Sequence, residues 1–497
     1  MRLMASTAYR RPVLWWVGTR LLLLLWALEA VPWFSHGAVL GDVKTYSGWA
    51  QLMQTQGTFP SHDPQWQYPP GAALIMLFPQ IFFDLGFSYI VTFFLFALAA
   101  DFAIFRLLLG QAHRISLQTG EPAHESGLWA WICGGFAIGP LMLMRYDVIV
   151  TALAVGGLLA TAGAAGRGTD GGETERAQKR SWIVRGGLTG LGAIIKVWPV
   201  VLLAGLPNGR YGRRALASAV ATALAVTAIL CAIMPGGLSF LTGQYGRGIE
   251  VESVLASPFM VASWFGYHVE TVHEYGAFQI AGAGVNFVGS CSLLLTVLGL
   301  ALVLWWRLRR FKAANWTPAL MYDVALTVVL VMVVTNRVLS PQYLIWLMGL
   351  AAVCLAENGP TRRATVMATP ARLVMACVLI TQIEFPILFG EVMGHAVLGT
   401  TVVALRNGTL LLATVLAIKA LWQASTQDSA PVDSSVDSLV DGPAEAVAAQ
   451  ALQAADSADA PAGDGPAGPA GDGDRPAGTL PVDGIPAAAG APVERRR

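Results

Sequence analysis

Residues 283–306 read A-G-V-N-F-V-G-S-C-S-L-L-L-T-V-L-G-L-A-L-V-L-W-W, a run without one charged side chain, and Arg307, Arg309 and Arg310 follow at once. At ~1.5 Å rise per residue, about twenty apolar residues cross a ~30 Å hydrocarbon core. Lipid offers no partner to an open backbone N–H or C=O, so such a run must be helical. Working outward, similar runs occupy 13–33, 87–109, 127–144, 148–166, 215–234, 318–335, 341–357, 370–390 and 398–420. Hydrophobic residues make up 55% of the chain and charged residues 13%, against ~25% charged in soluble domains. The expected fold class is an all-α polytopic membrane protein, a helical bundle of about 11–13 spans.

Charge gives the expected orientation. Short loops rich in Lys and Arg stay in the cytoplasm. Arg2, Arg10 and Arg11 place the N-terminus there, and so do the loops 167–182 and 208–214, the cluster Arg307 to Lys312, and Arg362 with Arg363. The connections 34–70, 145–147, 235–282, 336–340 and 391–397 then face outward and form the site. Two stretches resist simple counting. Residues 71–83 read as interfacial or re-entrant. Residues 183–207 read as two half-spans meeting near Lys196, Trp198 and Pro199. From 424 onward the chain is rich in Ala, Pro, Gly and Asp, with twelve acidic and four basic residues. That segment, 424–497, is expected to be a disordered cytoplasmic tail of net charge −8, because it cannot bury enough apolar area to offset chain entropy. The membrane domain, 1–423, then carries +9 against +1 overall, which suits anionic membrane lipids. The charges form no continuous basic face, so nucleic acid is not an expected partner. The five cysteines read as free thiols, and Walker, G-x-S-x-G and C-x-x-C motifs are absent.

Candidate chemistry sits on the outward connections. Asp42 follows the first span, where partial desolvation strengthens a carboxylate as a general base; a solvated loop carboxylate is the plainer alternative. Tyr46, Trp49 and Tyr68 add aromatic groups of the kind sugar sites use. Arg145 and Asp147 flank Tyr146 at a tight corner and could simply neutralise each other. Lys196, deep in an apolar stretch, either snorkels to the interface or meets an anion. Arg247 and Glu252 lie in a glycine-containing loop with Glu250. Arg337, Gln342 and Tyr343 surround a turn whose Ser340 and Pro341 resemble a helix cap. His268, Glu270, His273 and Glu274 match no zinc spacing, so no metal is expected, and His273 is taken as a substrate hydrogen-bonding group.

The series G-D-V-K-T-Y-S-G-W-A (41–50), Y-P-P-G-A-A-L (68–74), R-Y-D-V-I-V (145–150), I-I-K-V-W-P (194–199), R-G-I-E-V-E-S (247–253) and S-P-Q-Y-L-I-W (340–346) resembles the actinobacterial GT-C mannosyltransferases of phosphatidylinositol mannoside and lipoarabinomannan assembly. The resemblance runs in order from about residue 13 to 422. It implies a GT-C-like bundle in the cell membrane and an inverting transfer of mannose from a polyprenyl phosphate to a glycolipid or lipoglycan acceptor at the extracytoplasmic face. Asp42 matches the acidic residue such enzymes carry in their first outer loop. A lipid monophosphate donor implies neither cofactor nor metal. The frequent second carboxylate of that loop is not evident here, since Asp63 is the only other acid in 34–70.

The expected roles follow. Asp42 is the catalytic base, and Lys196, Arg247, Arg337 and Arg145 are the cations for the donor phosphate. Tyr46, Trp49, Tyr68, Asp147, Glu252, Gln342, Tyr343 and His273 contact substrate. Two other functions remain open on the residues alone: a lipid-linked sugar flippase or small-molecule transporter, favoured by intramembrane charge, and a scaffold that recruits partners through the acidic tail.

Overall fold

The computed structural model describes residues 7–30, 37–122, 124–162, 171–243, 246–309, 317–358 and 364–426. The expected disordered tail lies outside these, apart from 424–426, which continue the last helix. Arg2, Arg167, Arg310, Lys312, Arg362 and Arg363, used above for orientation, also lie outside the described residues.

Seventeen α-helices are described. They are α1 (Arg10–Ala27), α2 (Gly37–Gln56), α3 (Ala72–Phe83), α4 (Tyr89–Thr119), α5 (Ser126–Ala137), α6 (Leu141–Met144), α7 (Asp147–Ala160), α8 (Gly171–Ile195) and α9 (Arg210–Ile233). There follow α10 (Phe240–Gly243), α11 (Ser257–Ser263), α12 (Val285–Arg309), α13 (Pro318–Thr335), α14 (Tyr343–Ala356), α15 (Ala368–Gln382), α16 (Phe389–Met393) and α17 (Val397–Thr426). Six described helices are long and apolar enough to cross a membrane: α4, α9, α12, α13, α15 with its extension to Ile387, and α17. The chain is a multi-pass, all-α membrane protein. Several runs expected to span are instead shorter or broken. Gly139, at φ 67°, and Pro140 stop α5 and leave α6 only four residues long. Such breaks are tolerated where backbone faces protein rather than lipid.

Burial separates core from perimeter. In α13, 78% of the apolar window is buried, against 17% in α12 and 11% in α9. α13 and α14 therefore form the centre, and α9 and α12 turn Leu224, Ile233, Phe287 and Leu293 outward. α8 meets α9 closely: a Cβ on Gly186 or Gly190 would lie 2.0 or 2.3 Å from the carbonyls of Ala215 and Ala219. Small residues four apart on both helices let the backbones approach, the usual route to helix association in lipid.

The stretch 34–70, read as a loop, holds the 20-residue helix α2. α3 has twelve residues, too short for the hydrocarbon core at ~1.5 Å each, and exposes Leu74, Phe78, Ile81 and Phe83. It begins where the Gly71 N–H donates to the Ile194 carbonyl at 2.9 Å. α8 ends at Ile195, and a 3-10 helix (Trp198–Gly205) resumes after Lys196 and Val197. Pro199 has no N–H to continue the ladder. The break falls where expected, although α8, with 25 residues, is no half-span.

The 235–282 connection contains the described strands. β1 (Ile249–Glu250), β2 (Val269–Glu274) and β3 (Ala277–Gly282) form an antiparallel sheet of order β1-β3-β2, with Ile249 opposite Ile280 and Thr271 opposite Ile280 on the other side.

Candidate active site

The corner between α6 and α7 does not neutralise itself. Arg145 reaches back to α2: its Nε lies 2.9 Å from Asp42 Oδ2, and its Nη1 donates to the Val39 carbonyl at 2.7 Å. Asp147 reaches the other way. Its Oδ1 accepts from Lys196 Nζ at 2.7 Å and from Trp346 Nε1. The residues flanking Tyr146 thus hold a carboxylate from α2 on one side and a lysine from the α8 break on the other.

Lys196 is caged. Its Nζ lies 5.2 Å from the ring centres of Tyr146 and Tyr343 and 4.9 Å from that of Trp346. The electron-rich ring faces and Asp147 supply what water would otherwise give the ammonium. Tyr343 stacks on Trp346 at 3.9 Å, the face-sharing expected of residues three apart on α14. Aromatic contacts continue from Tyr146 to Tyr68 and from Tyr68 to Trp49 and Trp66. Burial pushes the Tyr68 hydroxyl far above its ordinary pKa, so it stays a hydrogen-bond donor.

Glu250, on β1, binds two more segments together. It accepts from Arg247 Nη2 at 2.8 Å and from Ser340 Oγ at 3.1 Å, while its own N–H donates to the Arg337 carbonyl at 2.9 Å. Burial raises its pKa, and the Arg247 charge only partly opposes this. The Arg337 guanidinium is shifted down by burial and then by the nearby Arg247. Ser340 is not the helix cap its sequence suggested: Gln342 occupies that position without a side-chain cap bond, and the Ser340 hydroxyl serves Glu250.

A cavity of about 890 Å³ collects these groups. Asp42, Lys196, Arg247 and Arg337 all line it, with Tyr46, Trp49, Tyr68, Gln342 and Tyr343. Arg145 and Asp147, expected to meet the donor phosphate and the substrate, do not line it: they stand one layer behind, bonded to Asp42 and Lys196 in the wall. Glu250, Gln65, Gln67, Tyr275, Asn336, Ser340 and Trp346 also line it without having been singled out as site residues. The i, i+3 spacing of Arg247 and Glu250 was the available clue to one of them.

Three further expectations fail on geometry. Asp42 lies in a helix, and its side chain is 42% exposed and paired with Arg145 rather than desolvated. His273 is exposed on β2, against Phe278 and outside the cavity. Glu252 does not line the cavity but lies buried below it, near Glu384 and Arg406; burial and the neighbouring Glu384 raise its pKa. Arg406 pairs with Glu384 at 2.9 Å and donates to the Glu252 carbonyl at 2.6 Å, while Asn407 donates to the Ser253 carbonyl. A wholly buried ion pair between α17 and the extension of α15 thereby anchors the segment that carries Glu250. Among the described residues no group of three His, Cys, Asp or Glu side chains is arranged to hold a metal ion. Asp63 is occupied by Trp49 Nε1 and the Gln65 N–H.

The family model for Glycosyltransferase family 87 matches residues 66–336, just over half of the chain. This chain belongs to glycosyltransferase family 87. Within this family 87 glycosyltransferase the matched stretch carries Tyr68, the 145–147 corner, Lys196, Arg247 and Glu250, whereas Asp42 and Arg337 lie outside it. No curated protein matches the sequence. A glycosyltransferase must hold a sugar, an acceptor and a leaving group together, and the cavity offers a carboxylate, cations and aromatic rings within one wall.

Proposed function

We propose that this glycosyltransferase transfers mannose, with inversion, from a polyprenyl phosphate to a glycolipid or lipoglycan acceptor at the extracytoplasmic face of the cell membrane. The observation that carries the reading is the shared cavity: Asp42, Lys196, Arg247 and Arg337 come from four distant segments and line one space. Its wall changes character along its length. Val197, Val200, Val201, Leu293, Leu300 and Met332 give an apolar portion among the 196–205 segment, α12 and α13, which suits a lipid-borne donor.

In the proposed step Asp42 takes the proton of an acceptor hydroxyl. That oxygen attacks the anomeric carbon from the face opposite the phosphate. The bond from the anomeric carbon to the phosphate oxygen breaks, and polyprenyl phosphate leaves with the electron pair. Lys196, Arg247 and Arg337 meet its charge, and Arg145 holds Asp42 in place. Fixed cations aimed at developing charge contribute most in sites shielded from water; a general base contributes ~10²–10⁴ in rate. Mannose and the acceptor class rest on the sequence resemblance. A monophosphate donor needs no divalent ion to bridge phosphates, so no metal takes part.

The test uses the full chain in lipid nanodiscs with radiolabelled polyprenyl-phosphate mannose and a membrane glycolipid extract. We expect a new labelled glycoside with the wild type and none with Asp42→Asn, at equal yield of folded protein. Near-normal turnover in the variant would remove Asp42 from the mechanism, and label moved across the bilayer of sealed proteoliposomes without a new glycoside would point to transport.

A further inference from the structure

The β2–β3 hairpin turns through only two residues, Tyr275 and Gly276, between the paired Glu274 and Ala277. Both have positive φ, 52° and 71°. Two-residue turns of this form favour Gly, Asn or Asp, because a Cβ in left-handed backbone crowds the following carbonyl. Gly276 suits its position and Tyr275 does not. Backbone strain retained by a bulky residue points to another use for its side chain.

That side chain lines the cavity. A Cβ on Gly246 would lie 2.8 Å from the Tyr275 hydroxyl, and one on Gly276 would lie 3.3 Å from Gln65 Cγ. The hairpin tip is therefore seated between the residue before Arg247 and the 65–68 segment. Trp49, Trp66 and Tyr68 pack edge to face on one another; among the described residues no ring packs on Tyr275. An aromatic face in the cavity wall, not used in packing other rings, fits the apolar C–H face of a pyranose, and Gln65, against the same hairpin tip, offers an amide for hydroxyls.

We propose that Tyr275 is a sugar-contacting residue, its ring a platform for a pyranose of the donor or the acceptor, which the hairpin holds there at the expense of local strain. This rests on the cavity being the glycosyl-transfer site. Tyr275→Gly and Tyr275→Asn relieve the turn, so a purely structural role predicts unchanged or raised thermal stability and unchanged kinetics. The proposal predicts unchanged or raised stability together with about a tenfold rise in KM for one substrate. Tyr275→Phe, the conservative variant, should recover most of that loss.

The assay is the full chain in nanodiscs with radiolabelled polyprenyl-phosphate mannose and, as acceptor, the glycolipid that accumulates when the gene is deleted. KM is measured for each substrate in turn. A rise in donor KM places the donor sugar on Tyr275, and a rise in acceptor KM places the acceptor there. Wild-type KM for both in Tyr275→Gly overturns the proposal. If that variant melts lower than the wild type, the strain argument fails with it. A wild-type enzyme that forms no glycoside from this donor refutes the reaction proposed above and removes the role of Tyr275 with it.

Discussion

Replacing Glu250 should move the enzyme in two steps of different size. Its side chain is 4% exposed and that of Arg247 13%, so their 2.8 Å contact is shielded from water. Glu250→Gln keeps the shape and one acceptor oxygen but removes the charge. Arg247 stays charged and keeps a bond to the amide oxygen, but the ion pair is lost, and a contribution of about 1.5–3 kcal/mol is roughly halved. The difference, about 1.4 kcal/mol, corresponds to roughly tenfold in kcat/KM for the donor. Glu250→Ala leaves Arg247 buried without its carboxylate and the Ser340 hydroxyl without its acceptor. Breaking such a pair costs about 3–5 kcal/mol, so kcat/KM falls by about 10²–10⁴, as Arg247 leaves the cavity wall and the tie to Arg337 loosens. The pH profile adds a sign. Burial raises the Glu250 pKa against the opposing effects of Arg247, Ser340, the Leu339 backbone and Lys196. The ionised form, which holds Arg247, is present above that pKa and is lost as pH falls through it. Wild-type activity should therefore decline on the acid side at a higher pH than an ordinary Glu would give, and Glu250→Gln should lack that limb. Initial rates of labelled glycoside formation across pH, on variants matched for folded protein, measure both effects. Donor kcat/KM within about threefold of wild type in Glu250→Ala would refute the argument.

Asp147→Asn removes the charge that steadies Lys196 while keeping its shape; donor KM should rise about tenfold, read in the same assay, with little change in folded yield. EDTA should leave the rate unchanged, and a loss restored by a divalent ion would contradict the metal-free proposal. Arg406→Leu alone should sharply reduce the monodisperse protein recovered in detergent chromatography. Glu384→Leu combined with it should restore much of that protein, because a buried ion pair replaced whole by apolar groups is often neutral. Truncation after residue 426 should leave glycoside formation intact, as measured by product mass.

The long apolar helices were legible because lipid imposes one length and one composition on them. The break at Lys196 was legible too, since a lysine and Pro199 interrupt an apolar run. α2 was not: G-A-V-L-G-D-V-K-T-Y-S-G mixes polarities and contains three glycines, and its helix follows from packing against α3, α4 and α6. The sheet was hidden for a different reason. Its pairing of Ile249 with Ile280 crosses thirty-one positions, and no local pattern encodes it. At the site, residue types pointed to the cavity wall but not to partners. Arg145 and Asp147 seemed matched to each other, yet each is bonded elsewhere. Glu384 and Arg406 could have been found, since opposite charges in two apolar runs each need a partner.

That Glu384–Arg406 pair bears on how the chain enters the membrane. The run carrying Arg406 would insert by itself against a penalty of about 2.5–3.5 kcal/mol if the guanidinium came to rest near mid-bilayer, and α15 with its extension carries the matching acidic burden. Arg406 is synthesised twenty-two residues after Glu384, so the earlier segment is made before its counter-charge exists. The segment that shapes the sugar pocket can be fixed in position only after the ribosome has nearly finished the membrane domain.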